Sequence, residues 1–205
     1  MQKRALETQT KILGTAMRLF SEHGLKGTTV DRIAAEAGVN KQRIYAYFGS
    51  KEKLFVAALT RVFQEAAPVS QSMLDEARAD PEHLTEILLR GFHNFHAVNP
   101  QFWRLLAWAN LEDARLLESL RDVRTGENGE IRRLFDRARA GGRLADISFG
   151  NYLFTLLAVS WFLRSNALTL RYTMGRNTVD ENSAGTLFRE LDRIFARNAA
   201  EGFSR

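Results

Sequence analysis

The chain lacks cysteine altogether, and lysine is missing from everything after residue 53. The absence of cysteine excludes disulfides and thiolate chemistry and permits a reducing compartment. Long apolar runs are missing too: the longest, residues 152–163, is too short for a helix that crosses a bilayer. The N-terminal segment has no apolar stretch of the kind that a secretory signal needs. We therefore expect a cytoplasmic protein without a membrane partner.

Positive charge is confined to one part of the chain. Residues 1–53 contain ten Lys and Arg against five acids, whereas residues 54–205 contain nineteen Arg against nineteen acids. The whole net charge of +5 therefore belongs to the first quarter of the chain. A basic segment attached to a neutral body is typical of a polyanion-binding module on a carrier domain, although a solvated charged face has the same composition.

The basic segment has the periodicity of short helices. Apolar residues recur at helical spacing over residues 6–23, and Gly24 supplies a stop. Thr28 and Asp31 form a T-x-x-D capping-box pattern at the start of a second helix. After it, Ala34, Gly38 and Ile44 follow the spacing that a helix-turn-helix needs: a small contact residue, a glycine in the turn and a branched apolar anchor.

Residues 10–55, TKILGTAMRLFSEHGLKGTTVDRIAAEAGVNKQRIYAYFGSKEKLF, resemble the DNA-binding domain of TetR-type (tetracycline-repressor-like) transcriptional regulators. The matching motifs are I-L-x-x-A-x-x-L-F, T-T-V-x-x-I-A-x-x-A-G-V, Y-x-Y-F and S-K-E-x-L. The resemblance implies an all-α protein of about nine helices. It implies a DNA-binding domain over residues 6–66, which consists of three helices with the helix-turn-helix motif at 29–48 and a fourth, linking helix. It also implies a helical ligand-binding and dimerisation domain over residues 67–205.

The segment from Asn40 to Phe48 is then predicted to be the recognition helix, with its polar side in the major groove. Arg and Lys donate to guanine, Gln pairs with adenine, and tyrosine reaches phosphate or a thymine methyl. The lysine that follows Ser50 and the hydroxyls that open helix two suit phosphates at helix N-termini, or serve as caps with nothing bound. The predicted DNA-binding residues are Thr28, Thr29, Lys41, Gln42, Arg43, Tyr45, Tyr47 and Lys51.

Two of these expectations have open alternatives. Tyr47 contacts DNA or packs in the core against helix one. Lys3 and Arg4 form either a flexible arm on the DNA backbone or an unstructured tail. The fourth helix, about residues 51–67, is ended or kinked by Pro68 and is the only continuous connection to the rest of the chain that the sequence reveals.

The neutral body contains an aromatic set that suits an apolar small-molecule pocket or, alternatively, ordinary core packing. Its predicted effector-binding residues are Phe92, Phe95, His96, Trp103, Arg104, Trp108, Trp161 and Arg164. The two arginines suit an acidic group on the effector. The spacing His93-x-x-His96 is a weak metal pattern without a third ligand, so neither a metal nor a cofactor is predicted.

The last two helices are predicted, from the resemblance, to form a four-helix bundle with those of a second subunit. Residues 152–163 are apolar on nearly all sides, as in a helix that is packed on every face. The predicted dimer residues are Leu156, Leu187, Leu191, Ile194 and Phe195, with intrachain core as the alternative. Residues 126–130, GENGE, are predicted to be a loop.

These patterns predict a ligand-responsive DNA-binding regulator, most simply a repressor that binds a palindromic operator as a homodimer and is released by a small, largely apolar effector. The alternative is a DNA-binding protein of the same fold without an effector. An enzyme is disfavoured because no nucleophile–base pair, phosphate-binding glycine loop or paired-carboxylate motif is present.

Overall fold

The computed structural model describes residues 2–112, 115–118, 121–175 and 181–196. These residues form eleven α-helices and one short 3-10 helix, with no strand beyond an isolated bridge between Leu144 and Ala196. The predicted all-α class is confirmed, with somewhat more helices than expected. The helices are α1 (Gln2–Gly27), α2 (Val30–Ala37), α3 (Lys41–Phe48), α4 (Lys51–Ala79), α5 (Leu84–Val98), α6 (Pro100–Glu112), α7 (Arg115–Glu118), α8 (Arg121–Ala140), α9 (Phe149–Ser165), α10 (Ala167–Met174) and α11 (Glu181–Phe195); the 3-10 helix is Pro81–His83.

The chain divides into two compact units that do not follow one another simply along the sequence. The first unit contains residues 1–66 and 99–124, and the second contains residues 67–98 and 125–205. The chain therefore passes between the units three times, so helix four is not the only connection. The predicted functional division at residue 66 stays a prediction, since packing alone groups α6 and α7 with the N-terminal helices.

The core of the first unit is built from the apolar faces of four helices. Ile12 and Phe20 of α1, Ile33 of α2 and Ile44 of α3 are buried, as is Phe55 of α4. The rings of Phe20 and Phe55 meet edge to face at 5.1 Å, a favoured aromatic geometry. This small core fixes α3 against α1 and α2 and so determines which face of α3 is left outside.

Helix α6 is also part of the first unit, because it packs along α1. The backbone of Gly24 has φ 70° and ψ 179°, which interrupts the helical geometry of α1, and a Cβ at this position would lie 2.7 Å from the ring of Trp108. The Trp108 indole N–H donates to the Ser21 carbonyl at 3.3 Å. The predicted stop at Gly24 is thus a kink that makes room for a tryptophan from a distant part of the sequence.

The second unit is a larger helical bundle around Tyr152. The Tyr152 side chain is fully buried, its hydroxyl shares a hydrogen bond of 3.0 Å with the Thr85 hydroxyl, and its ring meets Phe135 and Phe195 at 5.0 and 5.4 Å. Burial of a phenol is tolerated when its hydroxyl has a partner. Tyr152 thereby ties α5, α8, α9 and α11 together.

Helix α9 is apolar all round but is not packed on every face within the chain, which corrects that expectation. Leu156 is fully buried, whereas Phe154 and Phe162 are 71% and 51% exposed. Two predicted dimer residues, Leu156 and Phe195, lie inside the core of the second unit. Leu156 shares the buried face of α9 with Tyr152, and Phe195 of α11 packs against the Tyr152 ring. Leu187 and Leu191 are half-buried against the same core, and only Ile194, at 68% exposed, is largely free.

Two predicted interruptions do not end a helix. Helix α4 continues past Pro68 to Ala79, and residues 126–130 lie within α8. Glycine weakens a helix by only about 1 kcal/mol relative to alanine, so the GENGE segment can stay helical between its helical neighbours. In the described part of the chain no single helix is long and apolar enough to cross a membrane; α9 and α10 reach that length and composition only as a pair bent by 79°.

Candidate nucleic-acid interface

Side chains cap the N-termini of α2 and α3, and a tight turn at Gly38 joins the two helices. Thr29 is the N-cap of α2 and accepts from the Arg32 N–H at 3.2 Å, while Asn40 caps α3 by accepting from the Gln42 N–H at 2.8 Å. Gly38 has the left-handed conformation, φ 60° and ψ 41°, which favours glycine. The glycine turn is therefore found where the sequence predicted it, but the N-cap of α2 is Thr29 and not Thr28.

Thr28 has a structural role of its own. Its side chain is fully buried and its hydroxyl donates to the Leu19 carbonyl at 3.2 Å. A hydroxyl held in this way is not offered to a phosphate. The predicted DNA contact at the start of α2 therefore rests on Thr29, which is exposed.

Helix α3 is anchored by one residue and presents polar groups elsewhere. Ile44 is 1% exposed, Phe48 is half-buried, and Gln42, Arg43 and Tyr45 are exposed. The exposed groups include two donors at the N-terminal end, where helices inserted in the major groove reach base edges. Gly49 ends the helix with φ 79° and donates its N–H to the Tyr45 carbonyl at 2.8 Å.

Neighbouring cations on α3 differ in their contacts. The Lys41 ammonium donates to Asp31 at 2.9 Å, and this hydrogen bond raises the pKa of Lys41. Arg43 has no side-chain partner among the residues described here. A guanidinium without a partner on an exposed helix keeps all five donors for a ligand, whereas Lys41 must leave or share Asp31 to contact DNA.

A basic cleft adjoins α3 and extends the candidate surface to α1. It has a volume of about 730 Å³ and is lined by Arg4, Thr8 and Lys11 of α1 together with Arg43 and Tyr47 of α3. Lys3 and Arg4 belong to the first turns of α1, so they are neither the flexible arm nor the unstructured tail that we considered. Tyr47 is half-buried and lines this cleft, which fits both of its proposed roles.

Lys51 begins α4 after Ser50, whose hydroxyl accepts from the Lys53 N–H at 3.1 Å as predicted for an N-cap. The Lys51 ammonium donates to the carbonyls of Leu25 and Thr28 at 2.8 and 3.1 Å. A cation is disfavoured in the first turn of its own helix but is favourable at carbonyls that end another. Lys51 therefore joins the end of α1 to the start of α4.

The predicted effector residues are not gathered into one cluster within either unit. Trp103, Arg104 and Trp108 belong to the first unit, where the Arg104 guanidinium lies 5.3 Å from the centre of the Trp103 ring and Trp108 packs on α1. Arg104 is exposed. We conclude that core packing within the first unit accounts for Trp108.

The remaining five residues belong to the second unit. Phe92 packs at the edge of the core, Phe95 and His96 are buried, and His96 meets the ring of Trp161 edge to face at 5.9 Å. The Arg164 guanidinium approaches the Nε2 atom of His93 at 3.3 Å. Within the described residues no group of three or more potential metal ligands is found.

Sequence reasoning missed Lys11 and the contact between Gly24 and Trp108, and it considered Arg4 only as part of an arm or a tail. The basic character of Arg4 and Lys11 was visible, but the fold of α1 against α3 is needed to bring them beside Arg43. For Gly24 no local signal could reveal its contact with Trp108, since 84 residues separate the two.

Comparison with known proteins identifies both parts of the chain. Residues 12–58 match the model for bacterial regulatory proteins of the tetR family, and residues 81–191 match a tetracyclin repressor-like C-terminal domain. The HTH-type transcriptional repressor NicS of Pseudomonas putida is 28% identical over 185 residues, which cover 88% of this chain and 87% of NicS. An HTH-type transcriptional repressor of Streptomyces coelicolor is 38% identical over 108 residues, covering 51% of this chain and 50% of that repressor.

Solved structures share the fold at low sequence identity. A TetR-family transcription regulator from Marinobacter aquaeolei VT8 has a TM-score of 0.70 at 19% identity, covering 97% of this chain and 100% of that one. The fatty acid degradation regulator FadR from Bacillus halodurans has a TM-score of 0.68 at 18% identity, with 91% and 93% covered. With two matching family models over separate parts of one helical chain, this protein belongs to the TetR family of bacterial transcriptional regulators.

Proposed function

We propose that this regulator is a ligand-responsive repressor that binds a palindromic operator as a homodimer and is released by a small, largely apolar effector. The observation that carries the proposal is the outer face of α3, where Gln42, Arg43 and Tyr45 are exposed beside the buried Ile44. A short helix of this kind fits the major groove, where donors and acceptors near its N-terminus read base edges.

Base reading is assigned to Gln42 and Arg43, and phosphate binding to groups around them. Arg43 has a fork of donors that suits guanine O6 and N7, and Gln42 suits adenine N6 and N7. Thr29 and Tyr45 are exposed hydroxyl donors, and one ammonium N–H of Lys51 remains after its two carbonyl contacts. The basic cleft beside α3 supplies Arg4 and Lys11 for the flanking DNA backbone.

Dimerisation is supported by an exposed apolar face on the second unit. Phe154 and Phe162 of α9, Tyr172 and Met174 of α10 and Ile194 of α11 are all more than half exposed. Phe162 and Met174 line one cleft with Leu187, and clustered exposed apolar side chains are typical of an interaction site. One recognition helix reads only a few base pairs, so two subunits on two half-sites would supply the specificity.

The effector is assigned to the second unit. Two clefts there have volumes of about 250 and 450 Å³, of which the larger adjoins the exposed apolar face at Phe162. Cavities of several hundred cubic ångströms suit a small ligand and favour the effector hypothesis over a regulator of the same fold without an effector. An effector bound there would not compete with DNA for the basic surface of the first unit. It would act by favouring a different arrangement of the two recognition helices.

Selection of binding sites from a random DNA pool tests the proposal. We expect enrichment of a palindrome that binds two subunits, and a ligand that dissociates this complex. By linkage, the ligand lowers operator affinity by the factor by which the operator lowers ligand affinity. Failure to enrich any sequence would contradict the repressor, whereas enrichment without any releasing compound in a broad screen would favour the regulator without an effector.

A further inference from the structure

A cleft in the second unit has the donors of an anion site. It lies between α5 and α11 and has a volume of about 250 Å³. Glu86, Arg90, His93 and Asn94 line it from α5, and Ala184, Gly185, Phe188 and Arg189 line it from α11. Arg90 is already paired with Glu86 and Glu76, so the donors that remain for a ligand come from the other polar residues.

His93 lines this cleft with a buried donor that no acceptor satisfies. Its side chain is 2% exposed, and its ring meets Phe188 edge to face at 5.4 Å. The Arg164 N–H donates to Nε2 at 3.3 Å, so the neutral imidazole carries its proton on Nδ1. The Nδ1 atom is buried and has no hydrogen-bond partner. Because His93 lines the cleft, a ligand that enters it and reaches Nδ1 would supply the missing acceptor and remove the cost of an unsatisfied buried donor.

The positive charge of Arg164, which contacts His93, also has no counter-ion among the described residues. Arg164 is half-buried, its Nε atom has no partner, and it forms no ion pair with any residue that the structure describes. Burial lowers the pKa of Arg164, and burial together with the Arg164 charge lowers the pKa of His93 to about 4. At neutral pH the pair therefore carries one positive charge, which an anion would stabilise.

The size of the cleft and the charge of Glu86 would favour some anions over others. Glu86 lines the same cleft and would repel a doubly charged ion such as a phosphate dianion. Phe188 gives the wall an apolar part that suits the body of an organic ligand. A volume of about 250 Å³ lies just below the range of typical ligand pockets, which suits a single-ring or short-chain acid.

We propose that this cleft binds the carboxylate of a small organic acid, which accepts a hydrogen bond from Nδ1 of His93 and is balanced by the charges of Arg164 and Arg189, and that this acid is the effector. The effector role rests on the proposed function, whereas the binding of a carboxylate in this cleft does not.

Calorimetric titration with benzoate tests the cleft, with benzamide as the neutral ligand of the same shape and inorganic phosphate as the other anion. We expect benzoate to bind in clear preference to both. His93→Phe should weaken benzoate binding by about tenfold or more because it removes the Nδ1 donor to the carboxylate, and Arg164→Gln should do so because it removes the positive charge beside His93. Arg137→Gln, at an exposed arginine of the second unit that does not line the cleft, is the matched control and should bind like the wild type.

Four results would overturn the cleft as a carboxylate site: no heat with benzoate up to its solubility limit, equal binding of benzamide, preferential binding of phosphate, or unchanged affinity in both variants. Circular dichroism of each variant shows whether it is folded, and if Arg164→Gln does not fold then His93→Phe decides the result. Operator affinity is measured separately. Binding that depends on Arg164 but leaves operator affinity unchanged overturns the effector role, and an absence of operator binding without ligand overturns the repressor instead.

Discussion

Two cations two residues apart on α3 differ in their contacts within the chain. Lys41 is held by Asp31, and Arg43 has no side-chain partner in the described part of the chain. The sequence treats them as equivalent basic groups near a helix N-terminus. Their contacts make Arg43 the better candidate for base reading, because no internal ion pair has to break first.

Arg43→Ala should therefore relax base preference at one position in each half-site and weaken specific binding by about 1–3 kcal/mol per contact. Binding-site selection with the variant measures this directly. Arg137→Ala, which removes an exposed arginine of the second unit, is the matched control and should keep the wild-type preference. An unchanged preference in Arg43→Ala would assign base reading to another residue.

Lys51→Ala should have two effects that can be measured separately. Loss of its bonds to the Leu25 and Thr28 carbonyls should lower the free energy of unfolding by about 1–3 kcal/mol. Loss of a phosphate contact should weaken all DNA sequences alike and reduce the salt slope by about one per contact, so by about two for a dimer. A loss of stability with an unchanged salt slope would leave Lys51 with a purely structural role.

His93 should make the protein less stable in mild acid. Its pKa falls from 6.5 to about 4 on folding, so between these values the unfolded chain takes up a proton that the folded chain does not. The free energy of unfolding then decreases as the pH falls, by about 2 kcal/mol between about pH 7.5 and about pH 5. Urea unfolding at both pH values measures this.

Matched variants isolate the contribution of this one histidine. His93→Gln should remove most of the acid-dependent loss. His83→Gln should not, because Asp80 raises the pKa of His83, so protonation of His83 stabilises the folded state in acid. Equal pH dependence in His93→Gln and the wild type would mean that His93 is protonated in the folded state.

At the scale of elements, the contact of α1 with α6 depends on the missing side chain at Gly24. The combination φ 70° and ψ 179° is a region of backbone space that is essentially restricted to glycine. The Trp108 ring occupies the space that a Cβ would need. Backbone strain and steric overlap therefore act together at this one position.

Gly24→Ala should lower the free energy of unfolding by about 2 kcal/mol or more. Gly14→Ala is the control in the same helix: a Cβ there meets no atom within 4 Å, and alanine should stabilise the helix by up to about 1 kcal/mol. Chemical unfolding followed by tryptophan emission measures both. If Gly24→Ala raised the free energy of unfolding as Gly14→Ala does, the Gly24 conformation would not be required.

At the scale of the whole molecule, the exposed apolar face should be the contact between subunits. Phe162→Arg would place an unpaired charge in that interface, at a cost of several kcal/mol, and should yield monomers with reduced operator affinity. Leu111→Arg, at an exposed leucine of the first unit, should stay dimeric. Light scattering distinguishes the two outcomes, and a dimeric Phe162→Arg would move the interface elsewhere. Leu191 is a poorer test position, since it also packs on the core.

The sequence by itself determined the local features of this protein. Helical periodicity, the glycine turn at Gly38 and the anchor at Ile44 depend on residues a few positions apart, and all three are found where the sequence predicted them. The same local information predicted the helix over residues 41–48, on which Gln42 and Arg43 are exposed. The excess of positive charge in the first quarter of the chain was likewise visible by counting.

Only the tertiary structure decided which residues meet across long separations. It brought Trp108 onto Gly24, enclosed Leu156 in the core while leaving Phe162 exposed on the same helix, and set Arg164 beside His93. Periodicity marks a residue as apolar or helical, but every face of α9 is apolar, so nothing local distinguishes its buried side from its exposed one. That choice depends on where the neighbouring helices pack, which is a property of the whole chain.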